Sequence, residues 1–139
     1  MKIMGIDYGD ARTGIAVSDL LCSIVGSTTV IHSRNDEKTI TQILALVKEN
    51  SIGEIVVGLP KNMDGTEGPR AEIYREFAAQ LEEKSGMTVN LWDERRTTIE
   101  AHQILHTGGK KMKQHKNTVD AVAASLILEG YLTRKRRGV

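Results

Sequence analysis

The most constraining feature of this chain is the apolar run Glu54–Leu59, set between two stretches with helical spacing. A short Ile/Val-rich run of this kind suits a buried strand of a parallel sheet. Before it, Asp36–Asn50 places Ile40, Ile43, Leu44 and Val47 at helical intervals. After it comes a polar loop, 60–69, and then Pro69, a residue suited to the first turn of a helix that runs to about Ser85. Residues 88–92 read as a further strand, ending at Asp93 and Glu94. Upstream, residues 2–8 and 14–19 are short and rich in Ile, Val and Gly, with Gly9–Gly14 as the turn of a hairpin. Residues 25–32 read as a third, antiparallel strand.

Towards the carboxyl end, Thr97 and Glu100 form a capping box for a helix to about His106, which Gly108 and Gly109 stop. A last helix is expected over about Asn117–Leu132, with Val119, Val122, Ala123, Leu126, Ile127 and Tyr131 on its core side. The order βββαβαβαα predicts an α/β domain: a five-stranded mixed sheet, an antiparallel hairpin meander followed by parallel strands, with helices on both faces. The 139 residues fit one such domain, 1–139. In sheets of this kind, sites form at the carboxyl ends of the parallel strands.

Composition narrows the setting. The single cysteine, Cys22, cannot form an internal disulfide, and no apolar run approaches the roughly 20 residues of a membrane span. MKIMGIDYGD lacks the apolar segment of a signal peptide. The expectation is a cytoplasmic protein with no membrane partner. The net charge of +1 is uneven: residues 108–139 hold eight Lys/Arg against Asp120 and Glu129, so 1–107 carry −5. A basic face for a polyanion and an acidic remainder that includes a metal site would give this asymmetry. A solvated helix end with a basic tail would give it too.

Three acids fall at element ends that the expected sheet brings together. Asp7 ends the first strand in Gly5-Ile6-Asp7-Tyr8-Gly9, where a buried carboxylate is costly unless paired or metal-bound. An Asp that caps the following turn is the ordinary alternative. Glu94 ends the fifth strand beside Asp93, Arg95 and Arg96, where surface salt bridges are the simpler reading. Asp120 falls at the third position of the last helix if Asn117 is its N-cap, a usual place for an acid. Together the three are a candidate carboxylate cluster for Mg²⁺ or Mn²⁺, the arrangement metal-assisted phosphodiester hydrolysis needs. No Ser/His/Asp order, zinc spacing, HExxH or GxxxxGKS/T loop is present, and His32, His102, His106 and His115 read as surface residues.

The motifs Gly5–Gly14, Val57-Gly58-Leu59-Pro60 with Asn62–Gly65, Asp93-Glu94-Arg95 with Thr97-Thr98, and Asp120-Ala121 with Ala123-Ala124 occur in order along the chain. In them the sequence resembles the YqgF family, also called RuvX: Holliday-junction-resolvase-like proteins regarded as nucleases that mature the small-subunit ribosomal RNA precursor. The resemblance covers essentially the whole chain. It implies an RNase H-like fold, with Asp7, Glu94 and Asp120 as catalytic and metal-binding acids. It implies phosphate contacts by Arg12 and Lys116, a substrate or Glu94 contact by Arg95, and a lysine-rich strand clamp through Lys110, Lys111 and Lys113. The implied partners are pre-rRNA or branched DNA, and ribosomal particles. RuvC-type resolvases place a His three residues before the last catalytic Asp, where this chain has Asn117, and Arg96 stands where the motif is more often apolar. A non-catalytic nucleic-acid-binding domain would use the same basic surface. An ATPase of the actin and sugar-kinase kind would need a second such domain, for which 139 residues leave no room.

Overall fold

The computed structural model of the protein describes residues 1–60, 64, 66–93 and 112–136, with the side chains of 112–118 and of 136 outside that description. Its elements are β1 (Lys2–Asp7), β2 (Arg12–Ser18), β3 (Val25–His32), α1 (Asp36–Glu49), β4 (Ile52–Leu59), α2 (Pro69–Ser85), β5 (Val89–Asp93) and α3 (Met112–Arg136). Among the described residues the strands form one sheet in the order β3-β2-β1-β4-β5. β1 pairs antiparallel with β2 and β2 with β3, while β1–β4 and β4–β5 are parallel. The α/β architecture expected from the element order is therefore the observed one.

Strand alternation divides the core into two layers. Met4, Ile6, Ile15, Val17, Ile55 and Val57 face α1 and α2, where Ile40, Ile43, Phe77 and Leu81 meet them. Ile3, Ala16 and Val56 face the other way, against Ala124, Ile127, Leu128 and Leu132 of α3. Each fully buried Ile or Leu contributes about 1.5–3 kcal/mol through the apolar surface it removes from water. Asn35 caps α1 by accepting from the Lys38 backbone N–H at 3.0 Å, and Pro69 opens α2 in the first turn.

Three element starts differ from expectation by two or more residues. The hairpin turn is shorter, because β2 starts at Arg12 and Arg12 already pairs with His32 of β3. β4 starts at Ile52, which pairs with Lys2. The last helix begins at Met112, so Asn117 is inside it and is not its N-cap. The Met-Lys-Gln-His-Lys stretch lacks apolar periodicity yet consists mostly of good helix formers, which carry the helix back past Asn117. Of its expected core side, Val119, Ala123 and Ile127 are buried, while Val122, Leu126 and Tyr131 are only partly so and Ala124, Leu128 and Leu132 are buried in addition, so the face is turned by part of a helical turn. The capping box at Thr97–Glu100, the helix to His106 and the Gly108-Gly109 stop lie outside the described residues.

Candidate active site

The carboxyl ends of β1, β4 and β5 carry Asp7, Leu59 and Asp93. Leu59 and Asp93 are register partners, and β1 runs parallel to β4, so the three ends lie along one edge of the sheet. Asp7 is half-buried on the central strand. It alternates with Ile3 and Gly5 and so shares the sheet face that α3 covers. The residue after it, Tyr8, is buried on the opposite face. Its phenol donates to Asp36 Oδ1 at 2.5 Å, and its ring stacks on Phe77 at 4.1 Å between centroids. Burial, and then the Asp36 hydrogen bond and charge, push the Tyr8 phenol above its ordinary range, so it stays a donor. This contact pins the end of β1 to α1 and leaves Asp7 on a fixed piece of backbone.

Asp120 reaches the same edge from α3. Gly14 is the cross-strand partner of Asp7, and a Cβ built on Gly14 would stand 2.1 Å from the Asp120 backbone carbonyl oxygen. A Cβ on Gly5 would likewise meet Leu128 Cβ at 2.9 Å. The two glycines let α3 lie directly on β1 and β2, and the approach at Gly14 brings the backbone of Asp120 over the strand position paired with Asp7.

Asp120 is half-buried in the third turn of α3, away from the helix end. The N-terminal dipole therefore does not account for an acid here, and the expected third helical position does not apply. Its Oδ2 accepts from Arg12 Nε at 2.8 Å. Burial raises its carboxyl above the usual range. The Arg12 hydrogen bond and charge, and the neighbouring His32, pull the other way without cancelling the rise. His32 sits opposite Arg12 in the β2–β3 register, a relation between strand partners that no local motif encodes.

Arg12, at the start of β2 beside Asp7, thus faces Asp120 as an ion-pair partner. Glu94, Arg95, Arg96, Lys110 and Lys111 lie outside the described residues. Lys113 and Lys116 belong to the first turns of α3, with their side chains outside the description. Among the described residues no three His, Cys, Asp or Glu side chains form a metal-sized group. Asp7 and Asp120 are the two described members of the expected three.

A mixed sheet in this order, an acid at the end of its central strand and a second acid on the helix laid across it define an RNase H-like domain. The fold is similar to that of Thermus thermophilus RuvC in complex with a Holliday junction substrate, with a TM-score of 0.64 at 14% identity over 100% of this chain and 97% of that one. The sequence profile of the RuvX family, described as Holliday junction resolvase, matches residues 1–134. A Halothermothrix orenii protein named "Putative pre-16S rRNA nuclease" is 42% identical over 137 residues, covering 99% of this chain and 98% of its own. A Carboxydothermus hydrogenoformans protein of the same name is 39% identical, covering 99% of each. The chain belongs to the RuvX family.

Proposed function

We propose that this protein is a divalent-metal-dependent nuclease that hydrolyses phosphodiesters at the end of the small-subunit (16S) ribosomal RNA precursor. The observation that carries the reading is the delivery of Asp120 to the Asp7 edge across Gly14. Asp7 and Asp120 are half-buried carboxylates brought to one edge from different elements. They suit a site for hard cations, because their donors are oxygens. Asp7 and Asp120 would hold Mg²⁺ or Mn²⁺ together with Glu94, the residue that follows Asp93 in the sequence. When bound, the metal supplies activated water and stabilisation of the leaving oxygen.

The chain's own groups do the rest. Arg12 orients Asp120 through the hydrogen bond from its Nε to Oδ2. The Tyr8–Asp36 contact fixes the backbone that presents Asp7. Arg95 orients Glu94 or contacts the substrate, and Lys116 offsets charge on the scissile phosphate. Lys110, Lys111 and Lys113 hold the strand, so replacing all three with Ala lowers affinity and the salt dependence of binding, about one unit of slope per lost phosphate contact. The whole of 1–139 forms the one RNase H-like domain that does this. Among the described residues no helix is long and apolar enough to cross a membrane, and ribosomal particles in the cytoplasm are the setting this reading gives the protein.

The purified protein tests the reading on two substrates, a 16S precursor fragment and a four-way DNA junction, each with and without Mg²⁺. Metal-dependent trimming of the RNA with the junction left intact is expected. Resolution of the junction with intact RNA replaces the substrate with branched DNA. Binding of either without cleavage makes the protein a nucleic-acid-binding factor.

A further inference from the structure

On the face of the sheet that α3 covers, a cleft of about 300 Å³ opens between β5 and the carboxyl-terminal turns of α3. Its walls are Asn90, Leu91, Trp92, Tyr131, Arg134 and Lys135. The rings of Trp92 and Tyr131 meet edge to face at 6.2 Å. The Arg134 guanidinium stands over the Trp92 ring at 5.9 Å, and Lys135 Nζ stands over the Tyr131 ring at the same distance. Glu54 of β4 fixes the floor, accepting from both the Tyr131 hydroxyl and Lys135 Nζ. The indole is seated by Gly130, where a Cβ would stand 2.8 Å from Trp92 Cζ2.

Nothing in the proposed hydrolysis uses these groups, and the sequence leaves the basic tail Arg134–Arg137 without a role. Their chemistry is that of a strand-binding platform: a flat π-face for a base, with cations at its margin for the backbone. Position supports this. Trp92 immediately precedes Asp93 at the carboxyl edge of the sheet, and it packs with Ile3, Val56 and Leu128 on the same face as Asp7. β5 and β1 are separated by one strand, so Trp92 and Asp7 are about 10 Å apart across the sheet, while Tyr131, Arg134 and Lys135 lie farther along α3 from Asp120, roughly 17–22 Å at the helical rise. A strand that passes Asp7 reaches the cleft after a few nucleotides.

We infer that this cleft binds the single-stranded flank of the substrate, with one base on the Trp92 indole and a neighbouring phosphate on Arg134. The base lies on the indole at the rim where the Arg134 guanidinium stands, and Arg134 meets the adjoining phosphate. Lys135 remains tied to Glu54 and holds the wall. The inference rests on the nuclease reading for the identity of its ligand.

Trp92 is the sole tryptophan, so its emission reports this cleft directly. The test titrates the full-length protein, without metal, with a short oligouridine strand, and separately with uridine monophosphate. The strand is expected to quench Trp92 emission saturably, with an effect that weakens as salt rises. The mononucleotide should bind far more weakly. Arg134→Ala, read at a temperature where the variant is folded, should weaken strand affinity and lower the salt slope by about one unit. Trp92→Leu should raise KM for cleavage roughly tenfold or more, the loss of one base–aromatic stack, and leave kcat in place. Asp7→Asn should leave the quench intact.

No quench by the strand, equal binding of the mononucleotide, or an unchanged salt slope and KM in the variants overturns the inference. If wild type cleaves and the variants match it, the cleft fails and the nuclease stands. If Asp7→Asn cleaves normally while the quench persists in it, the nuclease site fails and the cleft stands.

Discussion

Gly14 of β2 and Asp120 of α3 touch through backbone: a Cβ on Gly14 would lie 2.1 Å from the Asp120 carbonyl oxygen. Because Gly14 is paired with Asp7, this contact sets the relation between the two acids. Gly14→Ala should push α3 off the sheet, since neither backbone can yield by a rotamer change. The expected cost is about 3 kcal/mol, the upper end for overpacking, read by chemical denaturation. Cleavage should fall further than stability accounts for, at temperatures where the variant is still folded. A variant with parental stability and activity would mean that α3 is not held at Gly14.

Arg12 is expected to act through Asp120. Arg12→Met removes the 2.8 Å hydrogen bond. Both side chains are partly exposed, at 35% and 19%, so solvent screening limits the loss of stability to about 1 kcal/mol or less. The larger effect should be on the cation. Removing a group that orients a metal-binding carboxylate weakens affinity about 10–100-fold. Calorimetric titration of the protein with Mn²⁺ reads this without any substrate, and unchanged affinity would assign Arg12 to the phosphate alone.

Glu54 offers a pH test remote from the acids. Burial alone would raise its carboxyl, but hydrogen bonds from Lys135 and Tyr131, with the Lys135 charge, outweigh burial and hold it below the ordinary glutamate value. A group whose folded value is depressed stabilises the fold above its unfolded value, about 4.3, and loses that contribution as pH falls through the folded value. Glu54→Gln should therefore be less stable than wild type at neutral pH, by about 1 kcal/mol for the weakened charge-assisted bonds. The two proteins should converge as pH falls below the ordinary glutamate value and through the lower folded one. Parallel stability curves across this range would contradict the assignment.

The elements were legible in the sequence where one physical signal dominated. Alternating or continuous Ile/Val runs gave the strands, and Ile40, Ile43 and Val47 gave α1. Asp7 stood out because an acid at the end of an apolar strand is costly. The signals failed where the deciding contact was remote. Arg12 and Asp120 are 108 residues apart, so their pairing is visible only once α3 lies on β2. Asn117 looked like a helix start because capping residues act locally, whereas α3 begins at Met112. Tyr131 reads as a core residue of the last helix, and its edge-to-face contact with Trp92 is visible only once the carboxyl-terminal end of α3 lies beside β5. Glu54 read as part of a buried strand, and its partners lie 77 and 81 residues away.

The central claim is that Asp7 belongs to a site that cuts nucleic acid. Asp7→Asn keeps the shape of the side chain while it removes one negative charge and one strong oxygen ligand. The decisive measurement is the single-turnover cleavage rate of a 16S precursor fragment at saturating protein and Mg²⁺, with binding measured separately in the absence of metal. The account predicts a rate lower by about a hundredfold or more, with binding retained or tightened because a carboxylate that repels phosphate is gone. Cleavage at the wild-type rate by Asp7→Asn would contradict it.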